Sequence, residues 1–197
     1  MAKQTQTTIA RALMQLMLEK PLDSITVNDL IERANVNRKT FYYNFHGIAD
    51  LLNWIYTVWI EAVVPLEEVS PDTWQRLFKG LMEAIKEQSK YLNDVYQSRY
   101  APSFRLNQRR AFDREMARFV RSAVEIYEKT HNVNVKLSKT QLRYVERYYS
   151  MAFFGMLDAW FTGGMKEDED EFVSMLTALS RDTMYDTFEF FITSEKE

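Results

Sequence analysis

Helix breakers are scarce in this chain, with five glycines and four prolines in 197 residues, and no apolar–polar alternation of period two persists anywhere. A half-buried sheet needs that alternation, so an all-α fold is expected. The apolar positions then say where the helices lie. Ile9, Ala12, Leu13, Leu16 and Met17 recur at the spacing of one helix face, and Pro21 ends that helix. Thr26 stands where an N-cap is needed, with Asp29 three residues on, and Val27, Leu30, Ile31 and Ala34 form the apolar side of a second helix. In "NVN", Asn35 tolerates the left-handed backbone of a tight turn, Val36 is an apolar plug, and Asn37 caps a third helix. Two helices joined by so short a turn make a helix-turn-helix, whose second helix reads DNA in nucleic-acid-binding examples.

Phe41 and Phe45, four apart, anchor the third helix on the first two. Arg38, Lys39, Thr40, Tyr42, Tyr43 and Asn44 occupy its other faces and its first turn. An arginine fork matches a guanine edge, an asparagine amide matches adenine, and hydroxyls reach phosphates. A plain surface helix would also be polar, but the capped turn before this one favours a reading role. Residues 1–50 carry six Lys/Arg against five Asp/Glu, near +1, while the whole chain is −3, so the asymmetry is mild.

"ITVNDLIERANVNRKTFYYNFHGIADLL" resembles the signature of the TetR/AcrR family of bacterial regulators, through Ala34, Val36, Thr40, Phe41, Tyr42, Phe45, Asp50, Leu51 and Leu52. The resemblance covers about residues 8 to 55. It implies phosphate contacts from Thr26, Asn37, Lys39, Tyr42 and Tyr43, and base contacts from Arg38, Thr40 and Asn44. Three positions depart from the family pattern. Asn35 replaces a glycine, Asn37 replaces a Ser/Thr cap, and Ile48 stands where a phosphate-directed lysine is usual. His46 and the first amides of the fourth helix can partly replace that lysine. The expected division is a DNA-binding domain over 1–47 and a regulatory and dimerisation domain over 48–197, with 48–64 as the linking helix.

Beyond Pro65, "SPD" at 70–72 is expected to open a helix to about 89, followed by a shorter one to about Arg99. A break before Pro102 precedes a long basic helix over 103–130. Ser138 and Gln141 form a capping box for the next helix, which stops at Gly163-Gly164. The acidic run 167–171 opens the last helix, which should end near Ser194; acids there complement a helix dipole, so no metal is expected. The arginines at 110, 114, 118 and 121 read either as an anion-binding stripe or as a solvated face laced by Asp113, Glu115 and Glu125.

"YYSMAFFGMLDAWF" (148–161) is apolar nearly all round, so one buried face does not account for it. The resemblance implies a two-fold dimer through the last two helices, with Phe153, Met156, Trp160, Phe172, Met175, Leu176 and Leu179 at the contact; a fully intramolecular bundle is the alternative. It also implies an effector pocket, for which Trp59, Trp74, Phe78, Met82, Tyr96, Tyr100, Phe119, Tyr144 and Tyr148 are candidates, although aromatic residues at helical spacing equally make ordinary core. Residues 148–172 are similar to TetR-like regulators of the dihydroxyacetone kinase type, some of which take a protein partner and activate transcription.

Catalysis is not expected. The two histidines, His46 and His131, are distant in sequence, and no glycine-rich phosphate loop or HExxH spacing occurs. The chain has no cysteine, which excludes disulfides and thiolate chemistry and fits a cytoplasmic setting. It has neither the apolar core of a signal peptide nor an eighteen-residue apolar run. The expected function is a homodimeric regulator on a palindromic double-stranded DNA operator, without cofactor or metal. It would be a repressor released by a small-molecule effector or, alternatively, a regulator or adaptor controlled by a docking protein partner.

Overall fold

Caps and turns fix the first three helices of the computed structural model, which describes residues 2–65, 70–71 and 73–193. Helix α1, Ala2–Glu19, buries Ile9, Ala12, Leu13, Leu16 and Met17 as its periodicity requires. A 3-10 turn, Leu22–Ser24, follows Pro21. Helix α2, Val27–Ala34, opens with a reciprocal cap: the Asp29 N–H donates to Thr26 Oγ1 (3.2 Å), and the Thr26 N–H donates to Asp29 Oδ2 (2.7 Å). Asn35 closes α2 at φ 50° and ψ 48°, a region that asparagine enters more readily than most side chains. Asn37 Oδ1 then accepts the Thr40 N–H at 2.7 Å and starts α3, Arg38–Asn44. Helix α4 is Ile48–Val63.

The chain packs as two compact units, Met1–Ala62 with Glu87–Gln108, and Val63–Lys86 with Arg109–Glu197. In the first, Ile9, Leu13, Leu30, Phe41, Leu51 and Leu52 are wholly buried. Each such side chain contributes roughly 1.5–3 kcal/mol of transfer free energy, an upper bound because unfolded chains already bury some apolar area. Phe45 extends the core toward α4, with its ring edge-on to Trp54 at 5.7 Å. The Arg33 fork binds both Glu19 carboxylate oxygens, at 2.8 and 2.7 Å, and ties α2 to α1. Helix α6, Ser89–Tyr96, belongs to this unit too. Phe104 packs between Tyr56 (5.3 Å) and Tyr96 (6.1 Å), and the Tyr96 hydroxyl donates to the buried Gln108 Oε1 at 2.7 Å. Packing therefore groups α4 and residues 87–108 with the first three helices, whereas the division at residue 47 was drawn by role.

The second unit is built from α5 (Trp74–Glu87) as far as Lys86, α7 (Ala101–His131) from Arg109 onward, α8 (Lys139–Thr162) and α9 (Glu169–Thr193). Two expected helix starts are corrected. Helix α5 begins at Trp74 and not at Pro71; the Ser70 carbonyl accepts the N–H groups of Thr73 and Trp74 ahead of it, and Asp72 lies outside the described residues. Helix α7 begins ahead of Pro102, in whose first-turn position a missing N–H costs nothing. Ser138 and Gln141 form the expected capping box on α8. Gly163 then ends that helix where an added Cβ would sit 2.9 Å from the Ala159 carbonyl oxygen. The acidic run has its own local use, since Asp168 Oδ1 accepts the N–H groups of Asp170 (2.9 Å) and Glu171 (3.1 Å) at the start of α9. The expected end of α9 near Ser194 lies outside the described residues. The core is aromatic: Trp74 meets Phe153 (5.4 Å), Phe78 (6.1 Å) and Phe119 (6.4 Å), and Phe78 stacks on Phe172 with planes 5° apart.

Candidate nucleic-acid interface

Burial of Phe41 and Phe45 decides which way α3 faces. With those rings held inward, the helix turns Arg38, Lys39, Tyr42 and Tyr43 to solvent. Tyr43 is 84% exposed, far more than a tyrosine needs for packing. Lys39 makes no hydrogen bond or ion pair with any described residue, so its ammonium is available to a phosphate. Arg38 is exposed but held. Its Nη1 donates to Asn28 Oδ1 on α2 at 3.1 Å, and its guanidinium carbon lies 5.6 Å from the centroid of the Tyr42 ring.

The remaining sequence candidates are engaged differently. Asn44 is half-buried and donates its amide to the Thr40 carbonyl at 2.8 Å, folding back on its own helix, and Thr40 is also half-buried. Asn37 commits its side-chain oxygen to the cap. Thr26 commits its hydroxyl proton to Asp29 Oδ2 at 2.7 Å. Those bonds, first from Thr26 and then from Lys20 at 2.9 Å, hold the Asp29 carboxyl down at about 2. The exposed His46 sits in the turn between α3 and α4, its backbone N–H donating to Asp50 Oδ2 at 3.0 Å. Ile48 is buried at the start of α4 and serves the core, so no side chain at that position reaches solvent. Asn28 was not singled out in the sequence. The signal that points to it is its place on the first turn of α2, opposite a turn short enough to bring Arg38 alongside.

The expected pocket residues fall in both units. Trp59, Tyr96 and Tyr100 belong to the first, where Tyr96 is spent on Gln108. In the second, Trp74, Phe78, Met82 and Phe119 pack as core, while Tyr144 and Tyr148 are 70% and 66% exposed and line no interior of that unit. Among the described residues of the second unit, a surface groove of about 540 Å³ opens between α5 and α9 beside the Lys79–Asp170 ion pair, and none of the expected residues line it. The expected dimer set divides as well. Phe153, Trp160, Phe172 and Leu176 are buried in the chain's own core, which removes them from any surface, whereas Met156, Met175 and Leu179 are exposed. The α7 arginines resolve toward the solvated face: Arg118 pairs with Glu115, Arg121 with Glu146 on α8, and Arg114 donates to the Arg110 carbonyl. Among the described residues no helix is long and apolar enough to cross a membrane.

Two family patterns match the chain. "Bacterial regulatory proteins, tetR family" covers residues 9–55, and "Transcriptional regulator C-terminal region" covers residues 72–182. A curated relative, the HTH-type dhaKLM operon transcriptional activator DhaS of Lactococcus lactis subsp. lactis (strain IL1403), is 38% identical over 52 residues. That match spans 26% of this chain and 28% of the relative, so the chain is aligned with little more than a quarter of that protein's length. A solved structure, the dihydroxyacetone kinase operon activator DhaS, shares the fold with a TM-score of 0.56 at 20% identity, over 96% of this chain and 98% of that one.

Proposed function

The chain belongs to the TetR family of bacterial regulatory proteins, and from that premise we propose that it binds a palindromic operator as a homodimer and takes its signal from a docking protein. As a member of that family it is a DNA-binding transcription regulator and not an enzyme. Residues 1–47 read the operator, while residues 48–197 dimerise and receive the signal, all within the cytoplasm. The observation that carries the DNA reading is the solvent-facing first turn of α3, with one held arginine and one unpaired lysine.

Support for the dimer comes from apolar side chains left in water. Helix α8 exposes Tyr144, Tyr148, Met151 and Met156, and α9 exposes Met175, Leu179 and Phe190. On α9 these positions share one face, as do Tyr144, Tyr148 and Met151 on α8, with Met156 turned toward the edge of that face. A second copy related by a two-fold axis covers such a surface and places two reading helices on successive half-sites. Support for a protein signal is the ring-on-ring filling of the second unit by Trp74, Phe78, Phe119 and Phe153, together with the activator role in the name of the relative DhaS. A second reading, a repressor released by a small molecule, is favoured by two orphaned polar atoms of the first unit. Tyr91 Oη and Asn53 Oδ1 are buried without a hydrogen-bond partner among the described residues, and burial pushes the Tyr91 phenol up. A small polar ligand would satisfy such atoms.

The test is binding of the purified chain to duplexes from its own upstream DNA across a salt series. Selective binding at physiological salt is expected, and Lys39→Ala should weaken all duplexes alike while lowering the log–log salt slope by about 1. Uniform, salt-erased binding would sink the operator reading. Release of the bound duplex by a metabolite-sized compound, with no other protein present, would decide for the second reading.

A further inference from the structure

Three side chains on the exposed side of the first unit form a small assembly that the family assignment does not contain. The Arg38 guanidinium donates through Nη1 to Asn28 Oδ1 (3.1 Å), a bond that crosses from α3 to α2. On its own helix, four residues on, the Tyr42 ring lies 5.6 Å from the guanidinium carbon. The Tyr42 ring is itself braced, edge-on to the buried Phe41 at 5.3 Å. Arginine carries five N–H donors, so four remain after the bond to Asn28. Two parallel donors suffice for the O6 and N7 acceptors of guanine, the commonest specific contact in a major groove.

We infer that Arg38 reads a guanine in each operator half-site and that Asn28 is the positioning residue that sets the guanidinium for it, with Tyr42 as its second support. This rests on the operator-binding reading and deepens it. The physical reason is entropic. A free arginine must give up many rotamers when it binds, and a fork already held in place loses less. Asn44 and Thr40 strengthen the assignment by elimination, since Asn44 is turned back on the Thr40 carbonyl and both are half-buried. Arg38 is then the principal base reader on α3.

The experiment uses the full chain and a randomised duplex library. Sequences selected by the wild type are aligned, and the consensus duplex is compared with its single-base variants at fixed salt. Wild type should require guanine at one position per half-site, and replacing that base should weaken binding about 5- to 150-fold, the range of one bidentate pair. Arg38→Ala should erase the preference at that position alone. Asn28→Ala should reduce the preference there several-fold while leaving affinity for unrelated duplex, the salt slope and the melting temperature unchanged. Tyr42→Phe should keep the preference, and Tyr42→Leu should reduce it. If Arg38→Ala instead weakens all duplexes equally and flattens the salt slope, Arg38 is a phosphate contact and the inference fails. It fails equally if Asn28→Ala shifts the preference at a different base, because Asn28 would then be reading that base itself. A wild type that selects no consensus overturns the operator reading, and this inference with it.

Discussion

The Asp29 carboxylate gathers the bonds that start α2. It accepts the N–H and the hydroxyl of Thr26, both at 2.7 Å, and faces Lys20 Nζ at 2.9 Å. Those bonds, the Thr26 hydroxyl foremost, depress its pKa to about 2, against roughly 3.9 in an unfolded chain. A depressed carboxyl contributes stability that is fully present above the unfolded value and lost as pH falls through the folded one. The melting temperature of the wild type should therefore drop between about pH 4 and pH 2, and the Asp29→Asn variant should show a flatter curve in that window. Equal slopes for both would mean that other carboxyls, such as Glu19, dominate acid unfolding. The cap itself was legible, because Thr26 and Asp29 are three residues apart and a capping box is a local pattern. The fates of Asn44 and Arg38 were not. An asparagine on a helix can face a base or its own turn with the same backbone, and the Asn28 oxygen reaches Arg38 only across a tertiary contact.

At the scale of elements, the same contrast separates starts and stops from partners. Helix α8 begins where the Gln141 N–H donates to Ser138 Oγ (3.2 Å) and the Ser138 N–H donates to Gln141 Oε1 (2.8 Å), a pattern readable from two residues. Ser138→Ala should cost about 0.5–2 kcal/mol, and a loss of about 1 lowers the melting temperature by roughly 2–4 °C for a chain of this size. A calorimetric scan showing no shift would mean that α8 is held by its packing alone. Proline usually marks a boundary, so the sequence points to a start for α7 at residue 103, two residues beyond the observed one; here Pro102 sits inside a first turn. The pocket residues could not be sorted from sequence. Trp74 and Phe119 meet only because α5 and α7 pack together, while Tyr148, another aromatic residue on a helix, ends on the outside. Within the first unit, the Arg99 N–H and guanidinium hold Asp23 of the 3-10 turn, fastening the loop between α1 and α2 to the stretch before α7; nothing local to either segment announces that pairing.

For the whole molecule, the decisive distinction lies between apolar residues that fill the chain's own core and those left exposed on its surface. Phe172 and Leu179 are seven apart on α9, an interval that brings the helix back to nearly the same face, yet Phe172 is 8% exposed and Leu179 is 62% exposed. Seven residues fall about 20° short of two full turns, so a side chain near the rim of the core can slip out of it farther along the helix. Substitutions at the two positions should consequently fail in different ways. Phe172→Ala removes a ring stacked on Phe78 and should cost about 3–5 kcal/mol of stability, with the folded fraction still associating. Leu179→Glu places a charge on a surface that is already solvated in the single chain, so the melt of the isolated subunit should barely move. In a two-fold dimer, however, the new carboxylate meets the partner's apolar face, where burying an unpaired charge is costly. Sedimentation equilibrium should then show wild type as a dimer and Leu179→Glu as a monomer. Operator binding by the variant should become non-cooperative, since each half-site is then met by a separate head. A Leu179→Glu protein that still sediments as a dimer would place the interface on a different surface and leave the exposed α8 and α9 residues as a docking face for another protein.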